Sequence, residues 1–243
     1  MNKVLFVGDL YRPSQTENIL KTCNSFSPVL KEIGIDYEIH VSKHNEKETN
    51  SVTFSLWEQS LVSNAFKSEL SAIDLSGYLV IGFEISMVDI NYLNQEGIDW
   101  INLSIHPLRF MDDLYFSLET SRNVDFARNS VSTGFIDMSV NVLKQRYNPN
   151  FIKQETRKKL CILGQLPDDK SVFINNTFKA LRDYTEKLDC IVKEFDEVLY
   201  KPHPYNEDKI VDIYIQKRYN TKLLLEEDIY KVFSLEEISS FCA

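Results

Sequence analysis

Two short stretches of the sequence place carboxylate, imidazole, ammonium and hydroxyl groups close together. The first, Gly164–Ser171, reads GQLPDDKS and contains the adjacent carboxylates Asp168 and Asp169. The second, Lys201–Pro204, reads KPHP and contains His203. A carboxylate and an imidazole that face one crevice can act as a catalytic pair. Whether they do so here depends on the elements that position them.

Each stretch directly follows a short apolar run, and this predicts a strand before it. An apolar run that stops abruptly in polar residues is typical of a parallel strand that opens into a loop. We predict a single helix over residues 172–194, which makes the segment one right-handed strand–helix–strand crossover. The carboxyl ends of the two strands would then lie side by side, where open α/β sheets bind ligands. Asp168, Asp169 and His203 are therefore expected to face one crevice.

Taken together, the two stretches resemble a known pair of motifs. The pattern Gly-Gln-x-x-x-Asp-x-Ser is carried by Gly164, Gln165, Asp169 and Ser171, and Lys-Pro-His-Pro follows it. This is similar to the bacterial capsular polysaccharide biosynthesis glycosyltransferases, in particular the retaining β-Kdo transferases that use CMP-Kdo. The resemblance covers residues 158–243. Family members continue past the His-Pro strand into a Ser-rich turn and a helix, so we expect the C-terminal lobe here to be short or truncated.

The resemblance implies an α/β fold of the GT-B type, with two Rossmann-like lobes built on parallel sheets. Residues 1–150 would form the N-terminal lobe, on the acceptor side. Residues 158–243 would form the C-terminal lobe, which binds the nucleotide-sugar donor. We expect the stretch 153–159, which is rich in Lys and Arg, to link the two lobes.

The resemblance also implies a reaction, the transfer of Kdo from CMP-Kdo to a glycan or glycolipid of a capsule or lipopolysaccharide. A carboxylate nucleophile allows transfer with retention of configuration, and the motif points to Asp169 in that role. His203 would contact the donor phosphate or the leaving group. Donor binding would involve Gln165, Ser171 and Lys201, with Ser171 at an anion-binding helix N-terminus. No cofactor is implied, because the CMP-sugar is the donor substrate. No metal is implied, because the sequence has no clustered ligand set and GT-B enzymes generally do without one.

Other interpretations of these residues stay open. Asp168 and Asp169 could be N-caps of the predicted helix, and Lys201–Pro204 could be a rigid turn. At the level of function, the alternatives are a CMP-sialic acid-dependent, inverting sialyltransferase-like enzyme and a non-catalytic binding module of a capsule assembly complex. A Ser/His hydrolase is excluded because the sequence has no Gly-x-Ser-x-Gly elbow.

A second polar cluster follows a predicted strand of the N-terminal half, over residues 100–103. His106, Arg109 and Asp113 are candidates for binding an acceptor or an acidic group, because Arg109 can hold a carboxylate or phosphate through two parallel hydrogen bonds. Alternatively, His106 ends the strand and Arg109 pairs with Asp112 or Asp113.

Hydrophobic periodicity and turn residues predict the remaining elements. Further strands are predicted over residues 4–7, 37–41, 78–84 and 223–225. Further helices are predicted over residues 15–33, 53–71, 87–95, 117–146, 206–218, 228–232 and 234–241. We expect Pro28 to break or restart the first of these helices.

The composition excludes several classes of protein and of binding partner. The chain has 243 residues, of which 43% are hydrophobic, enough for an ordinary core. The net charge of −9 argues against nucleic acid as the main partner. The four cysteines have no paired short spacing, so neither a zinc site nor a disulfide framework is predicted. We expect neither a signal peptide nor a transmembrane helix, and hence a cytoplasmic protein, with peripheral contact at the cytoplasmic face of the inner membrane left open.

Overall fold

The structure is a computed structural model of the chain. It describes residues 3–12, 16–42, 56–61, 66–105, 115–126, 130–147, 158–166, 169–206, 209–225, 228–233 and 238–242. Contacts divide the chain into a first unit, Met1–Ser130, and a second unit, Val131–Ala243. Residues 153–157, which make up most of the predicted linker 153–159, lie outside the described residues.

The first unit is built on a sheet with the strand order β2-β1-β3-β4-β5. These strands are β1 (Lys3–Gly8), β2 (Asp36–Ile39), β3 (Tyr78–Phe83), β4 (Asp99–Ile105) and β5 (Phe116–Thr120). The first four run parallel, and β5 pairs antiparallel with β4. The central strands β1 and β3 are near-continuous apolar runs because both of their faces are buried. The predictions of strands over residues 4–7 and 78–84 are confirmed.

Two helices of the first unit have bounds within the described residues, α1 (Thr16–Glu32) and α2 (Met87–Gln95). Helix α2 was predicted with these bounds. Helix α1 continues through Pro28, so the predicted break is wrong. The predicted helix 53–71 is also wrong as one element, because residues 56–61 are helical but 66–68 are not, and a 3₁₀ turn covers Glu69–Ala72. Ser68 caps that turn by accepting a hydrogen bond from the Leu70 N–H at 3.1 Å.

The second unit is built on an all-parallel sheet with the order β10-β9-β6-β11. Its strands are β6 (Lys159–Leu163), β9 (Glu197–Lys201), β10 (Lys222–Leu223) and β11 (Ser240–Cys242). Its helices are α3 (Thr133–Tyr147), α4 (Thr185–Val192), α5 (Ile210–Tyr219) and α6 (Ile229–Phe233). A separate hairpin pairs β7 (Phe173–Ile174) with β8 (Thr177–Phe178).

Side chains of β6 and β9 alternate between two cores, as the period of two in a strand requires. One face carries Leu160, Ile162, Val198 and Tyr200, which pack with Leu188 and Ile215 of α4 and α5. The other face carries Cys161 and Leu199, which pack with Val232 of α6. The second unit therefore has helices on both faces of its sheet.

The helix predicted over residues 117–146 is wrong in its first part. Phe116–Thr120 is strand β5, and the helix begins only at Thr133. The segment Phe-Ser-Leu-Glu-Thr alternates apolar and polar side chains, which is the pattern of an edge strand with one solvated face.

The single helix predicted over residues 172–194 is also wrong. Asn175 and Asn176 have φ values of 52° and 61°, and they form the two-residue turn of the β7–β8 hairpin. Two consecutive residues with positive φ suit the twist of a hairpin, and asparagine tolerates that conformation better than most residues. Only Thr185–Val192 forms an α-helix in this segment. The predicted helix 234–241 is likewise wrong at its end, where Ser240–Cys242 is a strand paired with β6.

Candidate functional site

The two motif segments meet at the carboxyl edge of the second unit's sheet. Strands β6 and β9 are parallel neighbours, and Leu163 lies opposite Lys201. One residue further on, the Gly164 N–H donates a hydrogen bond to the Lys201 carbonyl at 2.7 Å. The prediction that these strand ends lie side by side is confirmed, although the chain between them is not one helix.

Gly164 lies so close to Tyr200 and to the Pro202–His203 backbone that a larger residue would clash. A Cβ atom on Gly164 would lie 2.7 Å from Tyr200 Oη, 3.0 Å from His203 N and 3.2 Å from Pro202 Cα. Contacts this short are not tolerated by real side chains unless a neighbour shifts. The first residue of one motif therefore packs directly against the backbone of the other, and only glycine fits there.

Asp169 caps a short 3₁₀ turn in the loop that follows β6. Its Oδ1 accepts a hydrogen bond from the Ser171 N–H at 2.8 Å, and the 3₁₀ turn Lys170–Val172 follows. The N-cap interpretation therefore describes the local role of Asp169, although the capped element is a single turn. The hydrogen bond also fixes the orientation of the carboxylate.

His203 is half-buried between charges of opposite sign. Burial lowers the pKa of His203 below its usual value, the carboxylate of Asp169 raises it, and the Lys201 ammonium lowers it. The His203 Nδ1 atom accepts the Tyr205 N–H at 3.3 Å. Nδ1 is thus the acceptor nitrogen of the neutral ring, and Nε2 carries the proton. His203 can present an N–H donor from Nε2.

Lys201 lies at the end of β9 with its stem buried. The residue is only 6% exposed, but its ammonium is not one of the fully buried polar atoms that lack a partner among the described residues, so the ammonium reaches solvent. Lys201 follows Tyr200 in the strand and so lies on the Leu199 face. Its charge acts on Cys161, whose pKa is nevertheless raised to about 11 by burial.

A cavity of about 390 Å³ opens on the opposite face of the same edge. It is lined largely by apolar and aromatic side chains, among them Tyr184 and Tyr200, together with the polar groups of Gln165, Ser171 and Asn206. Volumes of 300–1,000 Å³ with a few convergent polar groups are typical of small-molecule sites. Two of the predicted donor-binding residues, Gln165 and Ser171, therefore line this cavity, whereas Lys201 does not.

A polar network that the sequence did not reveal lies behind this cavity. Tyr200 Oη donates to Asp212 Oδ1 at 2.5 Å, and Asn206 Nδ2 donates to the same oxygen at 3.4 Å. Asp212 is only 3% exposed, and Lys209 Nζ lies 3.7 Å from its Oδ2. Desolvation of Tyr200 and its hydrogen bond to Asp212 raise the pKa of the phenol well above its usual value. The available signal was a carboxylate in the first turn of α5.

The other predicted site residues cannot be placed. Asp168, His106, Arg109 and Asp113 lie outside the described residues. In the part of the chain that the structure describes, no three or more His, Cys, Asp and Glu side chains are arranged to hold a metal ion. No helix within those residues has the length and apolar character that a membrane span needs.

Comparison with known proteins gives only distant structural likeness. No protein-family profile matches the chain, and no curated protein matches it. Among solved structures, it is similar to Thermosulfurimonas dismutans KpsC, a beta Kdo 2,7 transferase, with a TM-score of 0.38 and 11% sequence identity. The alignment covers 100% of this chain and 67% of that one. At this level the likeness assigns neither a family nor an activity to the chain.

Proposed function

We propose that this protein is a glycosyltransferase of surface-glycan biosynthesis that uses a nucleotide-sugar donor, specifically CMP-Kdo. The observation that carries the proposal is the direct packing of Gly164 against the Pro202–His203 backbone. This contact joins the two segments that resemble the Kdo transferase motifs into one site at the carboxyl edge of a parallel sheet. Such edges are where open α/β sheets bind ligands.

The charges at the edge favour an anionic ligand group. Lys201 has no ion-pair partner among the described residues, and its ammonium reaches solvent while its stem is buried, so the charge is open to an anionic group. His203 can add a hydrogen bond from Nε2. In the proposed complex, the donor phosphate lies at the end of β9 and is held by Lys201 and His203 through charge-assisted hydrogen bonds.

The cavity beside the edge suits the nucleoside part of the donor. Its apolar and aromatic walls can cover a base and a ribose, and the side-chain amides of Gln165 and Asn206 can pair with their polar atoms. The network formed by Tyr200 and Asp212 fixes one wall of this cavity.

In the proposed mechanism, Asp169 is the nucleophile of a retaining transfer. Its carboxylate oxygen would attack the anomeric carbon while the bond from that carbon to the CMP phosphate oxygen breaks, and CMP leaves as an anion. An acceptor hydroxyl would then displace the Asp169 carboxylate from the sugar and release its proton to water. The Ser171 N–H holds the carboxylate in place. His203 and Lys201 stabilise the charge on the departing phosphate.

The proposal extends to the organisation of the chain. The second unit would be the donor lobe and the first unit the acceptor-side lobe of a GT-B arrangement. The acceptor would be a glycan or glycolipid presented on the cytoplasmic face of the inner membrane.

Donor binding can be tested by thermal unfolding with CMP, UMP, GDP and ADP. At a concentration one hundredfold above Kd, a bound nucleotide stabilises the folded state by about 2.7 kcal/mol, which raises Tm by several degrees. We expect CMP to do this selectively, and His203→Ala to abolish it. The matched control is His40→Ala, which removes another half-buried histidine, paired with Glu69 at 3.3 Å in the first unit.

The outcomes separate the alternatives. If UMP or GDP stabilises the protein better than CMP, the donor is not a CMP-sugar. If no nucleotide binds, the non-catalytic binding module is the better interpretation. With CMP-Kdo, mass spectrometry should detect a sugar adduct on Asp169, whereas an inverted product without an adduct would indicate a sialyltransferase-like mechanism.

A further inference from the structure

An ion pair lies at the carboxyl edge of the first unit's sheet, between the ends of β1 and β3. In the strand order β2-β1-β3, β2 lies on one side of β1 and β3 on the other. The ends of β1 and β3 therefore form the topological switch point, where open α/β sheets bind ligands. Arg12 follows β1, Glu84 follows β3, and Arg12 Nη1 donates to Glu84 Oε2 at 2.7 Å. Their side chains are 24% and 22% exposed, so the pair is half-buried but reachable.

A buried scaffold holds this pair in place. The Arg12 guanidinium lies 5.3 Å from the ring centroid of Trp57, which is only 1% exposed. The Trp57 indole N–H donates to Asp9 Oδ2 at 2.9 Å, and the Tyr11 N–H donates to Asp9 Oδ1 at 3.2 Å. On the other side, the Glu84 N–H donates to the Leu103 carbonyl at 2.7 Å. Both charged groups are therefore positioned before any ligand arrives.

The pair has hydrogen-bonding capacity that it does not use. A guanidinium has five N–H donors. Among the described residues, only the Nη1 atom of Arg12 has a hydrogen-bond partner, and Glu84 Oε1 has none. A ligand at this pair can thus meet guanidinium N–H donors and an acceptor oxygen next to each other.

The surrounding charge favours a neutral ligand. Arg12 is already balanced by Glu84, and the buried carboxyls Asp9 and Asp89 lie close by on the same edge. An incoming anion would meet this excess of carboxyl groups. Two adjacent hydroxyls of a sugar match the arrangement better, since one can donate to Glu84 while the oxygen of the other accepts from Arg12.

We propose that Arg12 and Glu84 form a binding site for a neutral sugar, which they recognise through a pair of adjacent hydroxyl groups. The site belongs to the first unit alone, and its occupancy does not depend on nucleotide binding by the second unit.

The test is ligand-observed saturation-transfer NMR on the full chain with methyl glucoside, methyl galactoside and methyl mannoside. At least one should show saturable binding, and Arg12→Gln should weaken it by about tenfold or more, as expected for lost hydrogen bonds to a charged group. Arg122→Gln is the matched control, because Arg122 pairs with Asp99 on the surface of the same unit at 2.6 Å. This control should bind as the parent does.

Far-UV circular dichroism checks that each variant is folded, because Arg12 contacts Trp57 and would alter tryptophan fluorescence directly. Glu84→Gln replaces Arg12→Gln in the comparison if the latter unfolds. Three results would overturn the proposal. The first is that none of the neutral glycosides shows saturable binding, and the second is that the variants at Arg12 and Glu84 bind as the parent does. The third is that methyl glucuronide binds more tightly than the neutral glycosides, which would show that the pair prefers an anionic ligand.

Discussion

Replacement of Gly164 by alanine is the most direct test of the contact between the two motif segments. The added Cβ would overlap Tyr200 Oη at 2.7 Å and the backbone nitrogen of His203 at 3.0 Å. Tyr200 cannot turn away, because it is buried and its hydroxyl is held by Asp212 at 2.5 Å. The loop at His203 must therefore move, and overpacking of this kind destabilises by about 1–3 kcal/mol.

A second glycine in the same unit provides the matched control. A Cβ on Gly134, in the exposed first turn of helix α3, would have no atom within 4 Å. Gly134→Ala removes only the conformational freedom of glycine in a helix, and it should stabilise by about 0.5–1 kcal/mol. The same chemical change is therefore expected to have opposite signs at the two positions.

The assay is urea unfolding followed by two signals. Both tryptophans, Trp57 and Trp100, belong to the first unit, so their fluorescence should be unchanged by Gly164→Ala. Far-UV circular dichroism reports both units and should show the loss. We also expect Gly164→Ala to abolish the stabilisation by CMP. Stability within about 0.5 kcal/mol of the parent, with the CMP effect retained, would show that the two segments are not in the contact described.

Three further predictions concern stability. Tyr200→Phe removes a hydrogen bond to the buried carboxyl of Asp212 and should lower the free energy of unfolding by about 1.5–3 kcal/mol, measured in urea. Tyr205→Phe is the control and should leave that free energy nearly unchanged, because Tyr205 is 79% exposed. Equal effects of the two substitutions would contradict the network. Burial raises the pKa of Asp89 to about 6, so the folded state keeps a proton that the unfolded state loses above pH 4. The stability of the parent relative to Asp89→Asn should fall by up to about 3 kcal/mol between pH 4 and 7, and a pH-independent difference would refute the shift. Pro28→Ala restores an N–H inside helix α1 and should stabilise by about 1–3 kcal/mol in thermal unfolding; a loss of stability would show that the proline ring packs favourably.

The parts of the fold that could be predicted are those with a strong local signal. The apolar runs of β3, β6 and β9 each end in polar residues, and this pattern marked both the strands and the edge at which their ends lie. Helix α2 begins after Ser86, whose side chain accepts from the Asp89 N–H at 3.1 Å, and it stops before a glycine. Such start and stop signals are local, so its bounds could be predicted.

The errors arose where a strand pattern was too short to outweigh helical periodicity. Phe173–Phe178 contains two adjacent asparagines flanked by β-branched and aromatic residues, which is a hairpin signal. The helix predicted over residues 172–194 nevertheless includes this segment. The helix predicted over residues 117–146 likewise includes most of strand β5. Both are short strands, and tertiary pairing rather than propensity decides them.

The site itself could be predicted only in part. The motif spacing pointed to Gly164, Asp169 and His203 as candidates, and the packing reason for the glycine depends on the neighbouring backbone at Pro202 and His203. The pairing of Tyr200 with Asp212 joins a strand to a helix across the core, and nothing in the local sequence specifies it.

One feature at the carboxyl edge of the second unit is not explained by packing. Gly164 is required there, because a Cβ atom would overlap Tyr200 Oη and the backbone nitrogen of His203. Lys201 has no such reason, since the residue is only 6% exposed and an apolar residue of similar volume would usually be neutral or stabilising at that position. An anionic ligand group bound at the ends of β6 and β9 would be a reason for the lysine.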